Sequence, residues 1–405
     1  MKSSKKYNYA DLPTLLCVLV LLAFGVLVVY TASSTWAAKK FEDSEHLLNE
    51  HVWKVLIAVG CIFLGMNVDY KKYQKYTKPA MFVAIGLLLA LLILKNEVKG
   101  TYRFLDFGFL TFQPSEIAKF ALVLHLSALI AAKEEAILKF KNGFATLLFW
   151  IVLIALLVML QPNFSMGAMI LLTGFIIMYL SGVRLKHLVL TIVPMIPLVI
   201  SYLFLAKYRS NRIGLYIDNL EALIKVDIAT IKAVINEAVI KSTGNALGQL
   251  WQGILAFGNG GLIGVGLGNS RQRDFFVPEA HGDFIFSIVG EEYGLIGTVL
   301  FMILFMVIFL RGYKIAKYTQ DAFGKYLALS ITVLITSYAF VNAGVTLGIL
   351  PVTGLPMPFV SYGGTSIIIS AYAIGVLLNI SKQTDMHPKQ TRIPVVGTVN
   401  AEGRV

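Results

Sequence analysis

The chain has 405 residues, of which 57% are hydrophobic and only 14% charged, and its mean hydropathy is +0.73. That composition excludes a soluble globular domain of this length and points to a polytopic membrane protein. The net charge of +12 does not signal nucleic acid, because the lysines fall between apolar runs instead of along one stripe.

The first apolar run, Leu12 to Tyr30, follows Lys2, Lys5 and Lys6 and superficially resembles a signal peptide. It is long for a secretory core and more spans follow, so it reads as a retained first helix after a short N-terminal segment, 1–10. Runs long enough to cross a bilayer appear near 11–33, 51–69, 79–95, 114–132 and 143–161, then 164–183, 187–206, 283–311, 325–348 and 364–381. The expected fold is therefore all-α, with about ten transmembrane helices inside a membrane domain over 11–383. Ten spans place both termini on one side. The short basic loops carry Lys71, Lys72, Lys75 and Lys78, then Lys133, Lys139 and Lys141, then Arg184 and Lys186, then Arg311, Lys314, Lys317 and Lys325. The positive-inside rule puts them, and both termini, in the cytoplasm. Loops 34–50, 96–113, 207–282 and 349–363 then face outward. Cys17 and Cys61 lie in apolar runs, so no disulfide framework is expected. The tail 384–405 has Pro and Gly without periodicity and reads as disordered.

The long outward loop between spans seven and eight has two parts. Residues 216–244 form an amphipathic pattern, with Leu220, Leu223, Ile224, Ile228 and Ile231 at helical spacing and Glu221, Lys225, Asp227 and Lys232 opposite. Such a helix lies on the outer leaflet or docks a partner. The second part, 247–282, holds glycines and charges.

Four outward motifs carry the chemistry. Arg103 precedes Gln113-Pro114-Ser115-Glu116 and Lys119; Pro114 suits a first helical turn, which sets Glu116 and Lys119 on one face. An internal ion pair is the plain reading of that pair. Gln161-Pro162-Asn163 is a tight outer turn, structural by default. The stretch with Gly258, Gly260, Gly261, Gly264, Gly266 and Gly268 offers a backbone that a ligand can approach closely. It continues to Arg271 and Arg273, cations suited to phosphate, and then to Glu279, His281 and Asp283. Asp283 stands where Phe284, Ile285 and Phe286 open a span, and partial desolvation there suits a general base. Glu291 and Glu292, about two turns deeper, are expected to pair with other helices. Finally, three prolines and a glycine between Leu350 and Phe359 preclude a regular helix before Ser361-Tyr362-Gly363-Gly364. Irregular backbone at membrane depth must be buried in protein or line a wet cavity. Asn342 is a further interior polar group. No nucleotide loop, zinc spacing or nucleophile elbow is present, so the energy for a reaction must arrive in the substrate.

The segments GVGLGNS…VPEAHGDFIFSIVGEEYGLIG, QPSEIAK, QPN and LPVTGLPMPFVSYGG, in this chain's arrangement, resemble the SEDS family (shape, elongation, division and sporulation) across residues 10–383. GLGNS and PEAH are closer to its division-type branch, FtsW, than to its elongation-type branch, RodA. The resemblance implies a peptidoglycan glycosyltransferase that polymerises lipid II at the outer face of the cytoplasmic membrane. It would work beside a class B penicillin-binding transpeptidase and other divisome membrane proteins. It places the essential carboxylate on Asp283, which would act as base or as ligand of a divalent cation, Mg or Mn. It also implicates Glu279, Arg103, Glu116 and Lys119 in a central cavity, and Ser361, Gly363 and Gly364 in its lining. Arg271, Arg273 and His281 join the substrate site from their place beside Asp283. The chain departs from the family pattern at Phe104, where Trp is common, at Asn163 and at Gly282, and in the insertion 216–244. Composition alone leaves two rivals open: a flippase for the lipid-linked precursor, because buried charge and a broken helix suit a transporter, and a scaffold without chemistry.

Overall fold

The computed structural model describes residues 9–94, 103–106, 111–133, 137–205, 246–272, 281–384 and 386. Eleven helices run through them: α1 (Leu12–Phe41), α2 (His46–Asn67), α3 (Lys71–Leu94), α4 (Pro114–Lys133), α5 (Ala145–Met159), α6 (Phe164–Leu180), α7 (Leu185–Leu205), α8 (Ala246–Gly260), α9 (Ile285–Tyr318), α10 (Ala322–Thr346) and α11 (Gly364–Lys382). Seven of them are long and apolar enough to cross a membrane, and α5, α6 and the first part of α7 are shorter apolar helices. One π-helical turn, Phe140–Phe144, leads into α5, and a two-stranded antiparallel ribbon pairs β1 (Leu105–Asp106) with β2 (Thr111–Phe112). A helix stands at each of the ten expected spans, seven long enough to cross and three shorter.

The ends of the elements follow from their sequences. Asp11 caps α1, its carboxylate accepting from the Thr14 N–H at 3.2 Å and the Thr14 hydroxyl at 2.6 Å, with Pro13 in the first turn. Pro114 opens α4, and Asp321 caps α10 through the Gly324 N–H at 2.8 Å. α4 and α10 are buried on nearly every side and form the centre of the bundle, while α1, α2, α3 and α9 keep one apolar side outward, as lipid-facing helices do. α2 and α11 cross closely. A Cβ on Gly65 would stand 2.7 Å from the Tyr372 carbonyl oxygen, and one on Gly375 would stand 2.3 Å from that of Ile62. Bare backbone is what allows this crossing.

Chain alternation puts the basic loops after α2, α4, α6 and α9 at the end that holds residue 11 and residue 382, termed here the basic end. The described segments around 42–45, 103–106, 111–113, 160–163, 281–284 and 347–363 lie at the opposite, loop end.

Two expectations are corrected. Residues 34–41 and 46–50 are not loop but helix, since α1 runs to Phe41 and α2 starts at His46. The segment 247–272 is not an outward loop of glycines and charges. α8 packs along α9, and the chain then turns against α9 at Gly294, where the helix kinks (φ 66°, ψ −167°). The kink frees backbone groups, and the glycine loop takes them: Val265 and Gly266 N–H donate to the Glu291 and Glu292 carbonyls at 2.9 and 3.1 Å. In return, Leu295 and Ile296 N–H donate to the Gly261 and Leu262 carbonyls at 2.9 and 3.1 Å. The glycines therefore approach a helix, not a ligand: a Cβ on Gly264 would lie 2.2 Å from the Glu292 carbonyl oxygen. Because Gly294 lies well down a span, this is a re-entrant loop whose backbone is satisfied by protein. Its apolar residues Leu262, Ile263 and Leu267 remain exposed, as befits contact with lipid. The amphipathic stretch 216–244 and nearly all of the 384–405 tail lie outside the described residues.

Candidate active site at the loop end

Asp283 sits just before α9 and is half-buried. Its backbone is clamped: the Asn342 side-chain amide, from α10, donates to the Asp283 carbonyl at 2.8 Å and to the Leu355 carbonyl at 2.7 Å. One residue thus fastens the start of α9 to the proline-rich segment 347–363. Gly354, with φ +70°, turns that segment so that a Cβ there would be 3.6 Å from Asp283 Oδ2. The irregular backbone expected from the prolines passes beside the carboxylate at Gly354.

His281 and Tyr362 join the two sides. The Tyr362 N–H donates to the His281 carbonyl at 2.9 Å, and the two rings meet edge-on with centroids 5.4 Å apart. The Tyr362 hydroxyl donates to Glu50 Oε2 and accepts from Lys54 Nζ at 2.8 Å. Lys54 Nζ is also 2.9 Å from Glu50 Oε2. Burial first, and the Glu50 carboxylate second, push the Tyr362 phenol well above its ordinary pKa, so it stays protonated. Ser361 is buried, and its hydroxyl oxygen accepts from the Met357 N–H at 2.7 Å, so it shapes the turn. Gly363 and Gly364 are partly exposed at the start of α11.

The α4 motif stands on another side of the same end. The Gln113 N–H donates to Thr365 Oγ1 at 3.2 Å, tying the start of α4 to that of α11. Glu116 and Lys119 form the expected pair at 2.8 Å, both buried, and the ammonium also lies 4.0 Å over the Tyr338 ring. The ammonium is out of line for a hydrogen bond, and neither Glu116 oxygen receives one from the protein. Arg103 donates to the Pro162 carbonyl in the Gln161-Pro162-Asn163 turn.

Other sequence candidates are separated from this group. Glu291 and Glu292 serve the re-entrant loop: Ser270 Oγ donates to Glu291, while Thr31 of α1 at 2.9 Å and Gly268 N–H at 3.1 Å donate to Glu292. Arg271 is exposed next to Ser270, and Arg273 and Glu279 lie outside the described residues. Glu50, His51 and Lys54 were not legible as site residues, because the sequence places them at the ragged start of an apolar run. Their helical spacing was the available signal, but only the crossing of α2 with α11 brings them to Tyr362.

Among the described residues no three His, Cys, Asp or Glu groups are placed to hold a metal ion together. A lone carboxylate such as Asp283 does not make an all-protein site. It does suit Mg²⁺, which binds through one or two carboxylates and the phosphates of a substrate.

Comparison with known proteins matches residues 12–386 to the family described as "Cell cycle protein", FtsW/RodA/SpoVE. The chain belongs to this family. Among its FtsW/RodA/SpoVE relatives, the "Probable peptidoglycan glycosyltransferase FtsW" of Geobacter metallireducens is 36% identical over 381 residues, covering 93% of this chain and 96% of the relative. The "Stage V sporulation protein E" of Bacillus subtilis is 33% identical over 379 residues, covering 93% and 98%. Two solved structures share the fold. One, described as "Structural coordination of polymerization and crosslinking by a peptidoglycan synthase complex", has a TM-score of 0.72 at 22% identity and covers 92% of this chain and 98% of that one. The other, a mutant of the rod shape determining protein RodA of Thermus thermophilus, has a TM-score of 0.65 at 20% identity, covering 93% and 98%.

Proposed function

We propose that this protein is a peptidoglycan glycosyltransferase of the division type, polymerising lipid II for septal wall synthesis. The loop end faces away from the cytoplasm, since short basic loops are retained inside. The observation that carries the reading is Asp283: a half-buried carboxylate at the mouth of a span, its backbone clamped by Asn342 and its side chain beside Gly354. The name of the Geobacter relative supports the same activity, and the peptidoglycan synthase complex supports a transpeptidase partner.

In the proposed step, Asp283 accepts the proton of an acceptor sugar hydroxyl as its oxygen bonds to the donor's anomeric carbon. The bond from that carbon to the diphosphate breaks, and the leaving group departs with the electron pair. An α-linked donor then gives a β-linked chain by single displacement, which needs a base and a stabilised leaving group but no protein nucleophile. The second carboxylate of a retaining pair is not required. A divalent cation held at Asp283 with the substrate's phosphates would neutralise charge on the leaving group. Glu116 and Lys119 form a buried ion pair on the α4 side of the loop end that a polar substrate can reorganise, and Arg103 holds the Pro162 turn. Class B penicillin-binding transpeptidase and other divisome membrane proteins are the expected partners.

The test is polymerisation of lipid II by the purified chain, with its transpeptidase and Mg²⁺, beside Asp283→Asn. Glycan polymer from the wild type and a loss of at least a hundredfold in the folded variant is expected. Equal polymer from both would remove Asp283 from the chemistry. No polymer from either, with lipid II crossing vesicle membranes, would favour a flippase.

A further inference from the structure

The start of α11 carries two glycines that the fold itself does not require. Gly363 is extended (φ −168°), and Gly364 is not among the residues with positive φ. A Cβ on Gly363 would meet only Ser366 Cβ at 4.0 Å, and one on Gly364 only the Lys54 Cδ and Cε atoms at 3.8 Å. At Gly65 and Gly375, by contrast, neighbouring backbone leaves no room at all. Neither conformation nor packing explains the bare pair at 363–364. Close approach of something other than the protein does.

No side chain caps α11. Its first N–H groups, and the positive end of its dipole, therefore look onto partly open space, which is the geometry that binds anions. A helix N-terminus alone is not a site, but two side chains on α2 converge on this one. The Lys54 stem lies along Gly364, and its ammonium bonds the Tyr362 hydroxyl just before the helix begins. His51, three residues earlier on the same face of α2, is fully buried, with its ring 5.8 Å from that of Tyr362. Neither of its ring nitrogens has a hydrogen-bond partner in the protein. A buried imidazole N–H left without an acceptor is unfavourable by itself, and an oxygen-rich ligand at the helix start supplies one.

We infer that Gly363, Gly364, Lys54 and His51 form a cradle for the diphosphate of a polyprenyl-diphosphate-linked sugar. The cradle is joined to the segment of Asp283 through the Tyr362–His281 bond, so the leaving group and the base share one end of the bundle. Among the described residues at the cradle, Glu50 brings an adverse charge. It holds Lys54 in the unliganded protein, and an arriving diphosphate takes that lysine while Glu50, partly exposed, turns to water. The ligand's identity rests on the polymerase reading, but its binding is measured without turnover.

The experiment compares binding of undecaprenyl diphosphate, undecaprenol and phosphatidylglycerol to the purified full chain in detergent. The wild type is expected to prefer the diphosphate to the neutral alcohol at least tenfold. Lys54→Gln and Gly364→Val should each lose most of that preference at unchanged melting temperature, Lys54→Arg should keep it, and Glu50→Gln should strengthen it. Equal binding of diphosphate and alcohol by the wild type, or an undiminished preference in both Lys54→Gln and Gly364→Val, would overturn the cradle. Phosphatidylglycerol binding as tightly as the diphosphate would overturn the ligand assignment. A wild type that shows the preference but makes no polymer would support the cradle and remove the polymerase.

Discussion

At the scale of single residues, Asn342 does more for the site than its position in an apolar helix suggests. One amide holds two carbonyls, those of Asp283 and Leu355, and is nearly fully buried. Replacing it by Leu keeps the volume but strands both carbonyls, at about 1–3 kcal/mol. Asn342→Leu should lower the melting temperature in detergent and reduce polymerisation more than Asp283-independent binding of the diphosphate. Activity equal to wild type would show that the clamp is dispensable. Asp283 itself was legible as a residue, because a charge where a span begins is conspicuous. Its clamp was legible only in part: Asn342 stood out as an interior polar group, but its two acceptors lie in distant segments. Glu116 and Lys119 were fully legible as a pair, since helical spacing alone places them together.

Among the elements, α9 and the loop 261–272 behave as one unit. The kink at Gly294 breaks the helical ladder, and the four backbone bonds to the loop restore what is lost. Gly294 combines a φ of +66° with a neighbouring backbone nitrogen, that of Gly264, only 2.4 Å from where a Cβ would lie. Gly294→Ala should therefore destabilise the protein by about 2 kcal/mol or more, from the left-handed backbone before any clash is counted. Gly258→Ala, in α8 with open space around it, should be nearly silent in the same thermal assay. Comparable losses in both would mean that the loop does not depend on the close approach. The glycine run itself was visible in the sequence. Its target was not, because a flexible backbone fits a phosphate and a helix kink equally well until the neighbour is known.

Across the whole molecule, the basic end is closed by a lock unrelated to the site. Asp11, fully buried at the cap of α1, receives Arg311 of α9, whose Nε lies 3.1 Å from Asp11 Oδ2, and its own N–H donates to Ser381 Oγ of α11 at 3.0 Å. Three helices are fastened there, at the end opposite Asp283. Asp11→Ala leaves the Arg311 guanidinium without its carboxylate and should destabilise by about 3 kcal/mol. Adding Arg311→Met should recover part of the loss, which thermal unfolding of the single and double variants would measure. Strict additivity of the two would refute the lock.

The sequence by itself determined the membrane class, the ten crossings, the gathering of basic loops at one end and the breaks at Pro114 and the 350–358 segment. These are decided locally, since lipid demands that each crossing satisfy its own backbone and be apolar along its length. Tertiary structure decided which polar groups meet. Asp11 and Arg311 are 300 positions apart, and Lys54 and Tyr362 are 308 apart. Hydrophobic periodicity says which side of a helix turns inward, but not which neighbour waits there. That choice is made by the packing of whole helices against one another, and it is this packing that brought an unremarked lysine and histidine on α2 up to Tyr362.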